Sequence, residues 1–559
     1  MSEKRVLDTD VLIVGGGPVG LALSMELSLW GVPHVLVEKH PGTTFHPKAR
    51  NLNTRTTEIM RRWGVNEAMD AIALAPEWCS AISYNRNLYE AEVGRMETGG
   101  FVGDADGFSP AAPHLSSQDM YEPIWRRRAE SFLASTLLFG HELTDLHWSM
   151  QSGGNPVASV HDRASGEELE VTARFVVGCD GWKSSVRAAI GAELDGITDI
   201  GHFINVYFNA NLDPWVAHRP AILYFVTEPS GVFQPLDGGN RWLCQINHKG
   251  TDESLAFYDA ERCVEWIRSA VGPNAGDALE IEIVSIGNWS MNSTVADRYR
   301  FGPIFLAGDS AHQLPPTGGF GANTGIQDAH NLAWKLAGVV QGWAADTILD
   351  SYETERRTVA MENSARSLDN SRMVGRITRA LLSGGDAGAA VAASHRYGNF
   401  AGLDLGFRYE SDLVVSDGSI APVVDDPVSE YVPTARPGHR FPHVWLKRGD
   451  DRKSSIDLTD GQFVLIIGPD GDAWSEAAAR LQLPKDLPMA ELAMGSVDFE
   501  LPAAEILALW GIEPSGALIV RPDGHVAWRA QQSSPNNEAL LRDACGRMLG
   551  LASRPRSSL

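Results

Sequence analysis

The chain is poor in the features that would tie it to a membrane, to nucleic acid or to an oxidising compartment. Five cysteines occur in 559 residues, Cys79, Cys179, Cys244, Cys263 and Cys545, scattered and without a CxxC. Their spacing offers neither a zinc cluster nor a dithiol centre and suits reduced, buried thiols of a cytoplasmic protein. Basic residues number 47 against 71 acidic ones, a formal charge of −24, which argues against nucleic acid or an anionic membrane as partner. No apolar run reaches the roughly 20 residues a membrane helix needs, and the opening MSEKRVLDTD leads into a strand-like run without a signal-peptide core. What is present is a hydrophobic fraction of 43% with 16 Trp, 19 Phe and 11 Tyr. That supports full-sized cores and supplies rings for a flat ligand. The length allows two to four domains at about 150 residues each.

Residues 9–39 read TDVLIVGGGPVGLALSMELSLWGVPHVLVEK. A short apolar strand, Val11 to Val14, is followed by GxGxxG at Gly15, Gly17 and Gly20, with Pro18 where a first helical turn tolerates it. Gly31 stops the helix, and a second strand delivers Glu38. In a chain with 55 glycines the pattern alone is weak. Its context is strong: strand before, helix after, and an acid ending the next strand. Glycines let backbone approach a pyrophosphate, a helix N-terminus stabilises its charge, and the carboxylate accepts from ribose hydroxyls. Two later segments repeat a strand followed by a small-residue turn. They are RFVVGCDGWKSSVRAAIG (174–191), with Asp180-Gly181, and FGPIFLAGDSAHQLPPTGGFGANTGIQDAHNLAWKLA (301–337), with Gly308-Asp309. The second places two prolines and a glycine cluster before a helix with an apolar stripe, Ile326, Ala329, Ala333, Leu336 and Val340. Glycine loses the most freedom on ordering, so such a loop points to something that must approach the backbone closely. No second strand–GxGxxG–helix unit occurs, so a nicotinamide nucleotide has no Rossmann domain of its own.

These three motifs, in this order, resemble the FAD-dependent aromatic hydroxylases, the single-component flavoprotein monooxygenases, over essentially the whole chain. The match is nearest to phenol and chlorophenol hydroxylases and to relatives that tailor aromatic natural products. The resemblance implies an α/β fold: a Rossmann-like FAD-binding domain of the p-hydroxybenzoate hydroxylase type with an inserted β-sheet substrate domain and a thioredoxin-like C-terminal domain. The expected units are 1–194 (FAD, with part of the substrate pocket near 80–110), 195–290 (substrate sheet), 291–430 (FAD, second part, with a helical connector) and 431–559 (C-terminal). In the last, a hairpin is expected over Pro522-Asp523-Gly524. Having only Cys545, that domain is expected to serve packing and contact within a homodimer or higher homo-oligomer rather than redox chemistry.

The resemblance also assigns residues. Gly15, Gly17, Pro18, Val19, Gly20, Glu38, Lys39, Lys48, Arg50, Gln118, Leu143, Asp180, Asp309, Pro316, Gly321, Ala322 and Asn323 would hold FAD. Asp309 would take the ribityl chain, Pro315 and Pro316 would wall the isoalloxazine, and a helix beginning near Asn323 would aim its N-terminus at the ring. The implied activity uses NAD(P)H and O2 to form a flavin C4a-hydroperoxide that hydroxylates a small aromatic substrate: a phenol, hydroxypyridine or polyketide-type ring. The alternatives are Baeyer–Villiger oxygenation of an aromatic polyketide and a non-catalytic FAD-binding sensor or sequestering protein. A phenol of pKa near 10 costs roughly 4 kcal/mol to ionise at pH 7. Phenol hydroxylases carry an Asp base where this chain has Arg50, so a carboxylate base at that spot is excluded. Arg50 is either an oxyanion stabiliser or a cofactor ligand. Pro316 and Tyr224 complete the catalytic candidates, with His218 weaker and His312 a loop-packing residue.

Overall fold

Five of the apolar runs lie parallel, side by side, in the order Ile304–Leu306, Glu168–Gly178, Arg5–Val14, His34–Glu38, Ser135–Phe139. The computed structural model describes residues 5–101, 107–149, 153–250, 257–276, 279–383, 385–448 and 451–551. Strands in a parallel sheet are covered on both faces and so read as unbroken apolar runs rather than alternating ones. Val11, Leu12 and Ile13 accordingly have no exposed surface. Arg300–Phe301, His141–His147 and Val157–Asp162 extend the sheet with antiparallel pairs. The helix Pro18–Leu29 packs against the long helix Phe320–Gln341, which is buried along nearly its whole length and leads to Asp350–Ser383.

A second eight-stranded sheet stands beside the first. Its order is His312–Gln313, Glu282–Ala296, Leu194–Asn209, Arg241–His248, Ser230–Pro235, Leu223–Thr227, Ala81–Asn85, Gly94–Glu97. Residues from the 80–110 stretch therefore join it as strands; 102–106 of that stretch lie outside the described residues. The strand Glu282–Ala296 runs through residue 290, and His312–Gln313 pairs with its end at Thr294 and Val295. The GDSAH loop thus leaves one sheet and enters the other.

At the C-terminus, Met489–Ala493 and Phe463–Ile467 pair in parallel, and Ala517–Val520 and Val526–Ala530 continue antiparallel. The last two form the expected hairpin, its turn closed by Gly524 N–H donating to the Arg521 carbonyl at 2.9 Å. All five cysteines are buried and none is disulfide-bonded. Among the described residues no helix is long and apolar enough to cross a membrane.

Candidate functional site

Four neighbouring strands end at one level: Val14 is paired with Val37 and with Gly178, and Gly178 with Leu306. The three turns that leave Val14, Gly178 and Leu306 meet there, at the carboxyl ends of the strands where an open α/β sheet binds its ligand. Their backbones interlock. Cys179 N–H donates to the Val14 carbonyl at 2.7 Å, Ala307 N–H to Gly178 at 2.9 Å, and Ser310 Oγ to Gly178 at 2.6 Å. Arg187, on the helix after Asp180-Gly181, reaches the Ser310 carbonyl at 2.9 Å.

The glycines divide into two groups by what a side chain would meet. A Cβ on Gly15, at φ 108°, would run into the Cys179 carbonyl, and one on Gly20 into the Gly15 carbonyl. Gly308 and Gly325 leave room for Val19, whose Cγ2 lies 2.7 Å and 2.6 Å from their would-be Cβ positions. These glycines pack protein on protein. A Cβ on Gly17 or Gly321 would meet no protein atom within 4 Å. Both sit at helix starts, those of Pro18–Leu29 and Phe320–Gln341, and both front open space.

The long helix begins at Phe320, three residues earlier than Asn323, because Gly319 takes the left-handed conformation (φ 71°) that caps it. Gly321 and Ala322 therefore supply first-turn N–H groups, free of intrahelical partners and aimed along the positive end of the helix dipole. The Asn323 side chain is already committed: its Oδ1 accepts from Asn53 N–H at 3.0 Å and its Nδ2 donates to Asn51 at 2.9 Å. It clamps the helix start to the 51–53 segment.

Several carboxylates are set as a polar ligand needs. Glu38 accepts from Gly16 and His40 N–H, both at 2.8 Å, orienting it over the glycine turn. Asp180 Oδ2 accepts from Ser185 at 2.7 Å and Val186 at 3.2 Å, while its Oδ1 is buried with no partner. Asp309 is exposed to solvent at the end of the third turn, and the protein crowded around it raises its pKa by desolvation. Gln118 accepts from Ala49 N–H at 3.0 Å. Lys39 and Lys48 are exposed, Pro18, Val19 and Ala322 half-buried. Pro315 is buried and Pro316 exposed, so Pro316 alone presents its ring. Leu143 is 9% exposed and packs in the FAD-sheet core. His312, fully buried, bonds Asp328 Oδ2 at 2.9 Å and does pack the loop, as expected.

Strand register defines the opposing wall. Tyr84, Phe225, Val232, Gln245, Asn205 and Gly287 are cross-strand partners in one row and therefore share a face. Tyr207 and Ser285 lie two residues along on that same face. His46 bonds Ser285 Oγ at 2.7 Å, and Arg241 joins Tyr207 Oη to Asp119, so this face turns toward the FAD-binding segments. Tyr224 is one residue out of step. It has no exposed surface, packs beside Trp242, accepts from Ala221 N–H at 2.8 Å and donates to the Arg219 carbonyl at 3.1 Å. Burial raises its pKa further. Tyr224 as a catalytic residue is therefore corrected: Phe225, stacked on Tyr84 at 5.1 Å, holds the cleft-side place. The weaker candidate His218 is exposed.

Arg50 connects the two walls. Its guanidinium donates to the carbonyls of Pro235 (2.7 Å), the last residue of the strand Ser230–Pro235, and of Ile222 (2.9 Å), just before the strand Leu223–Thr227. Burial pushes its pKa down to about 10, partly offset by the Cys79 thiol and the Tyr397 hydroxyl, and no described carboxylate pairs with it.

Comparison with known proteins agrees with this geometry. Residues 8–367 match the family described as FAD binding domain, and residues 434–552 match the aromatic-ring hydroxylase C-terminal family. The chain belongs to the FAD-dependent aromatic-ring hydroxylases. A putative polyketide hydroxylase of Streptomyces halstedii is 36% identical over 94% of both chains. A 4-methyl-5-nitrocatechol 5-monooxygenase of a Burkholderia species is 34% identical over 96% of this chain and 97% of its own. The flavin-dependent monooxygenase PieE, solved with FAD and substrate, superposes with a TM-score of 0.88 at 32% identity, covering 98% of this chain and 100% of its own. This hydroxylase is thus an FAD-dependent aromatic monooxygenase with relatives in natural-product tailoring. The unpartnered Asp180 Oδ1 and the open sides of Gly17 and Gly321 fit FAD. What sequence reasoning missed is the cleft parity of the substrate sheet and a buried ionic layer behind the flavin helix, described below.

Proposed function

We propose that the enzyme hydroxylates an electron-rich ring bearing an ionisable hydroxyl, with NAD(P)H and O2 as co-substrates, and that Arg50 holds the hydroxyl as its anion. The observation that carries this reading is the Arg50 guanidinium: desolvated, anchored on Pro235 and Ile222 carbonyls, and without a carboxylate. Burial of a cation without its counter-ion is costly unless an anion arrives. A cation about 4 Å from a phenolate offsets roughly 4 kcal/mol at an effective dielectric near 20, the amount that ionising a phenol at pH 7 demands. FAD, when bound, supplies reducing power and activated oxygen. Glu38, Asp180, Asp309 and the first turns after Gly17 and Gly319 hold it, while Pro316 and Phe225 keep water from the reacting ring. Phe225, Val232, Gln245 and Asn205 give the opposing wall apolar area with two amides, suited to a flat ring carrying oxygen substituents. The relatives named above, a polyketide hydroxylase and a nitrocatechol monooxygenase, support that substrate class.

The test is Arg50→Gln and Arg50→Lys across phenols of graded acidity, with coupled product and FAD affinity both measured. Arg50→Gln should lose product formation most for the least acidic phenols, with FAD affinity kept. Loss of FAD instead would assign Arg50 to the cofactor. Ring-opened or lactone products by mass spectrometry would favour Baeyer–Villiger oxygenation, and absence of substrate-stimulated NAD(P)H oxidation would favour a sensor. The thioredoxin-like reading of the C-terminal domain, and its part in homodimer contact, belong to the same proposal. The parallel pair joined by the helix Asp472–Arg480, followed by a hairpin and the helix Asn537–Met548, supports the first.

A further inference from the structure

The helix Phe320–Gln341 has a second face. Asp328, Asn331 and Lys335 stand at i, i+3 and i+7, all buried, and none of the FAD contacts assigned above uses them. Asp523, in the C-terminal hairpin turn, accepts from Asn331 Nδ2 and Trp334 Nε1, each at 3.2 Å. Arg521, in the same turn, grips both oxygens of Glu355 at 2.6 and 2.8 Å, and Glu355 in turn accepts from Lys335 Nζ at 2.7 Å. One residue along from Glu355, Arg356 donates to Asp328 Oδ1 at 2.8 Å and to the Thr324 carbonyl at 3.1 Å. It also donates to Tyr409 Oη at 3.1 Å, and the Tyr409 ring lies 4.1 Å from that of His525 in the hairpin. Asp328 spends its other oxygen on the flavin loop, accepting from Gly308 N–H at 3.2 Å and from His312 Nε2 at 2.9 Å. Arg521, Asp523, His525, Glu355, Arg356, Asp328 and Lys335 are each at most 1% exposed.

Two sets of charge-assisted hydrogen bonds, joined by the chain step from Glu355 to Arg356 and by the Tyr409–His525 ring contact, therefore lead from the C-terminal turn to the N–H of Gly308, the residue before Asp309. A helix held only by apolar stripes can slide or rotate slightly; one whose buried Asp328 and Lys335 are paired with Arg356 and Glu355 cannot do so without leaving a buried charge unpaired. We propose that the Arg521–His525 turn is a positioning element for the cofactor. It acts through Asp523 on the flavin helix and, through Glu355 and the adjoining Arg356–Asp328 pair, on the Gly308–His312 loop. The C-terminal domain then tunes the flavin site without touching flavin. This rests on FAD binding, not on the substrate or on the role given to Arg50.

The test uses the full-length holoenzyme. Asp523→Asn, Tyr409→Phe and their combination are compared with Asp417→Asn, which removes the partner of Arg529 (2.7 Å) at a site with no bond to the flavin helix. FAD dissociation is measured by fluorescence, alongside the visible circular dichroism and midpoint potential of the bound flavin. Asp523→Asn should weaken FAD about tenfold and shift the flavin spectrum and potential. Tyr409→Phe should do so less, and the double variant should fall short of the sum. Asp417→Asn should lower the melting temperature with flavin properties intact. If Asp523→Asn and Tyr409→Phe lower the melting temperature while dissociation, spectrum and potential stay at wild-type values, the turn is only structural and the proposal fails. Should Asp523→Asn not fold, an unchanged flavin in Tyr409→Phe overturns it equally.

Discussion

The turns around FAD and the sheet over the substrate differ in what their chemistry constrains. Around the cofactor the backbone itself is the binding surface, so residue type is forced at fixed spacings: Gly15 cannot carry a side chain past the Cys179 carbonyl, and Gly17 keeps open space. In the second sheet the backbone makes ordinary ladders, and under the proposed function a substrate would meet only its side chains. There a shift of one residue exchanges faces, as Tyr224 and Phe225 show.

The sharpest test of this contrast is Gly15→Val. It should abolish FAD retention, read from the visible absorbance of the purified protein, because both clash and φ oppose it. Gly17→Ala should keep the fold and weaken FAD only. If Gly15→Val retained flavin, the packing role assigned to Gly15 would be wrong.

Acid should separate the regions next. Burial holds His34 in the FAD sheet, and His439, His443 and His525 in the C-terminal domain, near pKa 4 against an ordinary 6.5. The unfolded chain takes up these protons first. Stability is therefore fully present above about pH 6.5 and falls as pH drops toward 4, by up to about 3 kcal/mol per histidine. Melting temperature against pH, with hydrogen exchange by region, checks it. Early exchange in the substrate sheet, ahead of the C-terminal hairpin, would contradict the assignment.

On the substrate side the effects are smaller. Phe225→Ala should raise KM about 30-fold through roughly 2 kcal/mol of lost ring contact, with FAD affinity kept. Tyr224→Phe should leave kcat/KM unaltered and cost about 1 to 3 kcal/mol of stability, since Ala221 N–H loses its acceptor. If steady-state kinetics moved more in Tyr224→Phe than in Phe225→Ala, the face assignment would be reversed.

The same contrast explains what could be read from the chain. GGGPVG, CDGWKSSVR and GDSAHQLPPTGGFG announced the FAD-binding fold, because tight backbone packing and room for a cofactor force residue type at fixed spacings. LYFVT, at Leu223–Thr227, is nearly apolar throughout, so its alternation does not say which residues face the cleft; only pairing with Ser230–Pro235 does. Asn323 was found by motif, but its clamp on Asn51 and Asn53 depends on a contact some 270 residues away in sequence. Nothing in the spacing of Asp328, Asn331 and Lys335 along the helix names what they pair with. Their partners, Glu355, Arg356 and Asp523, lie in separate segments that only the fold brings together.

The burial of all five thiols has a consequence for an enzyme of this type. Oxidants attack the ionised sulfur, and desolvation keeps each sulfur protonated, Cys79, Cys263 and Cys545 with pKa values pushed up to about 11 and Cys179 and Cys244 well above the usual range. When the flavin turns over without transferring its oxygen and hydrogen peroxide escapes, the chain offers it almost no reactive thiolate.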